Sequence, residues 1–134
     1  MTTAEILKMH NIKPSMIRVM VYEYLRGTKS HPTADEIYTA LHPSMPTLSK
    51  TSVYNTVRLL VDAGLSKNIT IDGVQIHYDA DTSVHGHFWC KRCLRVYDFD
   101  VNENPGEALD GFVVDFKEIY FGGLCRTCAA EDKN

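Results

Sequence analysis

Two C-x-x-C pairs, Cys90/Cys93 and Cys125/Cys128, constrain this chain more than any other feature. Two cysteines at that spacing form a knuckle whose thiolates share one tetrahedral ion, and two knuckles complete a four-sulfur set. No cysteine is left over, which in a reducing compartment reads as a zinc site rather than as disulfides. The gap between the pairs is longer than in compact zinc ribbons, so an ion held there staples the end of the chain to its middle. A dithiol redox couple is the rival reading, but a thiol–disulfide enzyme usually needs only one such pair.

Around the first pair, the stretch from His77 through Cys93 to Asp98 crowds carboxylates, imidazoles and thiols together. On an extended segment His85 and His87 place both rings on one face, while Cys90 has the opposite parity. The stretch therefore predicts two neighbouring sites, one of nitrogen and oxygen ligands and one of sulfur.

At 134 residues the chain suits one ordinary domain or two small ones. No apolar run approaches the roughly 20 residues of a membrane span, and the polar start Met1-Thr2-Thr3-Ala4-Glu5 is no signal peptide. A cytoplasmic protein without membrane contact is expected. The net charge of −3 hides an asymmetry. Residues 1–64 carry seven bases (Lys8, Lys13, Arg18, Arg26, Lys29, Lys50, Arg58) against five acids, whereas the rest carries seven against twelve. A mildly basic front and an acidic, ligand-rich back suggest a nucleic-acid module joined to a metal module.

Local signals divide the front half into helices. Thr2 with Glu5, and Thr33 with Glu36, are capping boxes, the first opening a short helix to about His10. Pro14-Ser15 restarts the chain, and Ile17, Met20, Val21, Tyr24 and Leu25 repeat at helical spacing up to Gly27. Pro43 and Pro46 mark a turn. Ser49 to Gly64 then reads as a capped helix ending on glycine, with Val53, Val57, Leu60 and Val61 as its buried stripe. Its other face carries Thr51, Asn55, Arg58 and Asp62, with Tyr54 and Lys50 at the edge. Such a face suits a helix that reads a DNA groove, and it equally suits a solvated surface.

Two alternating runs follow, Leu65 to Ile71 and Val74 to Asp79, joined by the hairpin signal Asp72-Gly73. Three helices and a hairpin is winged helix-turn-helix order. In the back half Val96 to Phe99 and Phe112 to Phe121 read as strands, with a break at Asn104-Pro105-Gly106. The expected class is α+β: an N-terminal winged helix-turn-helix domain over residues 1–79, then a small C-terminal α/β domain over residues 80–134. A unit of that size is uncomfortable without a metal or a partner chain.

Four blocks in this order, His31-Pro32-Thr33-Ala34-Asp35-Glu36-Ile37-Tyr38, Ser52-Val53-Tyr54-Asn55-Thr56-Val57, His85-x-His87-x-x-Cys90-x-x-Cys93 and Cys125-x-x-Cys128, resemble the ferric uptake regulator (Fur) family. The nearer likeness is to its peroxide-sensing branch, the PerR repressors, and it spans essentially the whole chain. The resemblance implies a homodimer on double-stranded palindromic operator DNA, with the C-terminal domain dimerising. It implies structural Zn²⁺ on Cys90, Cys93, Cys125 and Cys128, and a regulatory Fe²⁺ or Mn²⁺ between the domains on His31, Asp79, His85, His87 and Asp98. Aspartate at both 79 and 98 looks like the peroxide sensors, since iron sensors more often place glutamates there. In that branch peroxide converts a ligand histidine to its 2-oxo form; the candidates here are His31 and His85.

Departures from the family pattern bear on the sites. No histidine follows His87, so a further site that some relatives build late in the chain is not expected, and no fifth cysteine exists to serve as a regulatory ligand. Where relatives often carry an arginine, this chain has His77, read as a strand or DNA-facing residue rather than a sixth ligand. For DNA, Tyr54, Asn55 and Arg58 are expected at base edges and Lys50, Thr51 and Ser52 at phosphates. The function expected is a metal-dependent repressor sensing hydrogen peroxide, with an iron-responsive repressor as the alternative. A metalloenzyme using His85, His87 and a carboxylate is disfavoured, because five ligands leave little room for substrate and no general base stands beside them. A zinc-stapled interaction module is the third reading.

Overall fold

The structure, a computed structural model, describes residues 1–70, 75–82, 85–101, 106–114 and 117–132. The chain divides into two compact units, Met1–Thr82 and Ser83–Asn134. Ala80 packs on the first unit's core and the Asp81 N–H donates to Asp79 Oδ1, so the chain leaves that unit a little beyond Asp79.

In the first unit, α1 (Thr3–Met9) opens on the Thr2/Glu5 capping box, and α2 (Met16–Gly27) on Ser15. Helix α3 (Ala34–Leu41) opens on the Thr33/Glu36 box, and α4 (Lys50–Asp62) on Ser49. Each cap gives an otherwise orphaned N-terminal amide a side-chain acceptor. Helix α4 stops where Gly64 takes a left-handed φ of 77°, and the Leu65 N–H turns back onto the Leu60 carbonyl at 2.9 Å. Apolar faces of the helices meet in one core that includes Leu7, Val21, Leu25, Ile37, Val53, Val57 and Leu60. Each such aliphatic side chain contributes about 1.5–3 kcal/mol by leaving water. In the α4 stripe Thr56 takes the buried place expected of Val61, which is only partly buried. Thr56 hides its polarity by donating its hydroxyl to the Ser52 carbonyl at 2.7 Å.

Strands β1 (Lys67–Ile69) and β2 (His77–Asp79) pair antiparallel, with Lys67 opposite Asp79 and Ile69 opposite His77. The expected Asp72-Gly73 turn lies outside the described residues. Helices α2 to α4 followed by this pair make a winged helix-turn-helix.

The second unit is a three-stranded sheet of order β4-β3-β5, followed by α5 (Arg126–Asp132). Central β3 (His85–Cys90) runs antiparallel to β4 (Val96–Asp100) and parallel to β5 (Ile119–Gly123). The strand expected from Phe112 is shorter: pairing begins at Ile119, and Phe112, Val113 and Val114 stand exposed outside it. Among the described residues no neighbouring strand satisfies their β propensity. Of the expected break, Asn104-Pro105 lies outside the described residues, and Gly106 starts a short 3₁₀ turn. Gly86 is where β3 must be bare, because a Cβ there would sit 2.4 Å from the Phe99 ring.

Candidate metal centres and DNA-reading face

Cys90 ends β3, and the chain turns at once so that the Leu94 N–H reaches the Cys90 carbonyl at 2.8 Å, with Leu94 at a φ of 65°. That knuckle aims backbone donors at sulfur: the amides of Cys93 and Cys125 each lie 3.4 Å from Cys90 Sγ. Cys125 follows β5, and Cys128 lies in the first turn of α5. One sulfur from each of the four residues lies within 4.8 Å of the others. Cys90, Cys125 and Cys128 are buried, whereas Cys93 is exposed.

Electrostatics divide these thiols. Burial pushes the Cys90 thiol up, but N–H donors from Cys125, Cys93 and Arg92 outweigh it and bring it down to about 5. Cys125 is lowered by the Cys128 N–H and then by the Tyr97 hydroxyl. Cys128 is pushed up to about 12, by burial first and then by the neighbouring thiols. Donation toward Cys125, with burial behind it, lifts Tyr97 to about 12 as well. Four thiols this close cannot all ionise by themselves, and a divalent cation is what holds them together as thiolates. Soft donors in a tetrahedral set fit zinc.

The nitrogen and oxygen ligands expected from sequence fall in both units. In the first unit His31 is buried in the turn ahead of α3, with Nε2 3.5 Å from Asp79 Oδ2. Asp79 is itself held, its Oδ1 accepting from the Asp81 N–H at 2.9 Å and its carbonyl accepting from Ser66 at 3.2 Å. His31 has a φ of 54°, a left-handed conformation uncommon in a residue with a Cβ. Proline at 32 favours an extended residue 31, and His31 departs from that preference. His77 is buried in β2 and donates its Nδ1–H to the His31 carbonyl at 2.7 Å, so it does not face DNA.

In the second unit the sheet register does the positioning. His87 stands opposite Asp98 on β4 and opposite Tyr120 on β5. Its Nδ1 lies 2.7 Å from Asp98 Oδ1, and its ring stacks on Tyr120 with centroids 5.8 Å apart. His85, on the same face of β3, meets the His87 ring at 4.5 Å and brings Nε2 to 3.5 Å from the same carboxylate oxygen. Two buried imidazoles converging on one carboxylate make a hard-to-borderline donor set suited to Fe²⁺ or Mn²⁺. Tyr120 was not foreseen, because only the pairing of β5 with β3 brings it to His87.

On α4 the residues expected to meet DNA form one accessible face. Thr51, Tyr54, Asn55 and Arg58 are exposed, and Lys50 stands at the helix start. The Tyr54 hydroxyl donates to Asp35 Oδ1 at 3.2 Å, and Lys50 Nζ lies 3.7 Å from that oxygen. Ser52 differs: it is half-buried and its hydroxyl donates to the Ser49 carbonyl at 2.8 Å, inside the N-cap.

Comparison with known proteins is consistent with this geometry. The model of the ferric uptake regulator family matches residues 9–108. The peroxide-responsive repressor PerR of Staphylococcus epidermidis is 36% identical over 121 residues, covering 85% of this chain and 79% of that protein. The peroxide operon regulator of Bacillus subtilis is 32% identical over 135 residues, 97% of this chain and 93% of that protein. Among solved structures, the ferric uptake regulator from Pseudomonas aeruginosa with manganese superposes with a TM-score of 0.79 at 21% identity, over 94% of this chain and 99% of that one. The chain belongs to the ferric uptake regulator family.

Proposed function

We propose that this protein is a homodimeric, metal-dependent transcriptional repressor that senses hydrogen peroxide in the cytoplasm. Structural Zn²⁺ sits on Cys90, Cys93, Cys125 and Cys128, and regulatory Fe²⁺ or Mn²⁺ on His31, Asp79, His85, His87 and Asp98. The observation that carries the regulatory reading is the pair of prepared half-sets: a buried imidazole facing a carboxylate in the first unit, and two more sharing a carboxylate in the second. Peroxide-responsive relatives at 32–36% identity supply the signal. Among the described residues no helix is long and apolar enough to cross a membrane.

His31 and Asp79 belong to the DNA-reading unit, and His85, His87 and Asp98 to the other. One ion drawing on both sets fixes the angle between the units, and in a dimer that angle sets the spacing of two α4 helices. Palindromic half-sites about one helical turn apart demand one spacing. Metal and operator therefore favour the same state, and each raises affinity for the other. Tyr54, Asn55 and Arg58 read base edges, while Lys50 and Thr51 contact phosphates and Ser52 offers them its backbone at the helix start.

Held by this set, Fe²⁺ would activate peroxide without net oxidation of the metal, chemistry that Mn²⁺ would not supply. The imidazole of His31 or His85 would itself supply both electrons: a ring C–H would become C–OH, the 2-oxo form, and the second oxygen of hydrogen peroxide would leave as water. The altered ring is a poorer ligand, so the two half-sets part and the DNA is released.

The test is operator binding by the zinc-loaded dimer with Fe²⁺ or Mn²⁺, before and after hydrogen peroxide, followed by peptide mass mapping. The expected result is loss of binding in the iron form alone, with one added oxygen on His31 or His85. Iron-dependent binding that survives modest peroxide with both histidines intact would make the protein an iron-responsive repressor instead. Added oxygen on the cysteines, with zinc released, would move the sensor to the sulfur site.

A further inference from the structure

We infer that His77 is a positioning residue for the metal ligand His31, an inference that rests on the ligand assignment proposed above. His31 holds a left-handed φ of 54° while being only 3% exposed. A residue with a Cβ stays in that region only where its surroundings over-determine it. Strand β2 does this at successive points. His77 Nδ1 donates to the His31 carbonyl at 2.7 Å, the Tyr78 N–H donates to the Pro32 carbonyl at 2.9 Å, and Thr33 bridges His77 in antiparallel fashion.

His77 and Asp79 are two apart on one strand and so share a face. From that face His77 grips the backbone of His31, and Asp79 approaches its ring at 3.5 Å. A carbonyl only accepts, so the short contact requires a proton on His77 Nδ1. The imidazole of His31 is thus placed by a residue 46 positions away that lies outside the ligand set. Partners of this kind behind a metal ligand set its orientation, and their loss typically costs 10–100-fold in metal affinity.

The experiment measures Mn²⁺ affinity by calorimetry on the zinc-loaded full chain. Wild type is compared with His77→Phe, which removes the donor, and His77→Asn, which keeps an N–H at the δ position. His31→Ala serves as reference. The expected result is affinity at least about tenfold weaker in His77→Phe, near wild type in His77→Asn, with zinc content unchanged in both. Wild-type affinity in a folded His77→Phe, alongside lost binding in His31→Ala, overturns the inference and leaves the ligand assignment standing. Equal weakening in His77→Phe and His77→Asn also overturns it, since the donor would then not be what matters. Wild-type affinity in His31→Ala removes the ligand assignment itself. Nitrogen-15 shifts of the wild-type imidazoles need no variant: a protonated Nδ1 at His77 is expected, and an unprotonated Nδ1 would overturn the inference even if His77→Phe failed to fold.

Discussion

Met1–Thr82 closes around aliphatic side chains contributed by four helices, whereas a buried cluster in Ser83–Asn134 consists of Cys90, Cys125 and Cys128, with Phe88 and Leu124 packed against it. The second unit also leaves Phe112, Val113, Val114 and Phe121 largely exposed. One unit is held together by excluding water, and the other buries the donor atoms of a metal. The difference teaches where each kind of information resides. The first unit buries an aliphatic core that needs no metal to form, whereas the buried cluster of the second is made of a metal's donor atoms.

That contrast breaks most decisively at the sulfur site. Cys90→Ser, or stripping the metal with a chelator, removes a binding free energy on the order of 10 kcal/mol that doubles as folding free energy. Hydrogen exchange followed by mass spectrometry should then show β3 to β5 and α5 losing protection while α2 and α4 keep theirs. Concerted loss in all of them would show that the units do not differ as described. The next largest effect lies in the aliphatic core. Leu60 is fully buried on α4, and Leu60→Ala should cost about 2–5 kcal/mol in denaturant unfolding, to the same extent with and without bound metal. A metal-dependent cost would tie that core to the cation. Smallest is Gly86→Ala, whose new methyl meets the Phe99 ring at 2.4 Å and Val101 at 2.8 Å. Because Phe99 is stacked on Phe121 at 5.4 Å, it cannot swing aside freely, and about 1–3 kcal/mol of overpacking is expected by thermal unfolding of the zinc-loaded protein. A neutral outcome would mark the second unit as loosely packed even with its metal in place.

What was legible in the sequence was what is decided locally. Thr2/Glu5, Ser15, Thr33/Glu36 and Ser49 announce their helices because a cap is a matter of neighbours within one turn. The shared face of His85 and His87 follows from the two-residue period of a strand, and the two knuckles from cysteine spacing alone. Illegible features depend on pairings distant in sequence. The stacking of Tyr120 on His87 exists only because β5 lies parallel to β3 in one register. The Tyr97 hydroxyl finds Cys125 through the turn of the second knuckle, and the backbone of His31 is set by a strand 46 residues later. The strand expected from Phe112 forms only from Ile119 onward for the converse reason: β-branched and aromatic residues favour a pleated surface, but among the described residues no adjacent strand pairs with Phe112 to Val114.

The left-handed turn at His31 also has an evolutionary consequence. If backbone comfort alone governed position 31, glycine or asparagine would occupy it, since both tolerate a positive φ better than histidine does. Under the proposed ligand assignment, either exchange would relieve the turn and silence the sensor at once. Selection for a sturdier protein and selection for a responsive one therefore pull this single position in opposite directions, and a lineage released from peroxide stress would be free to trade the imidazole away.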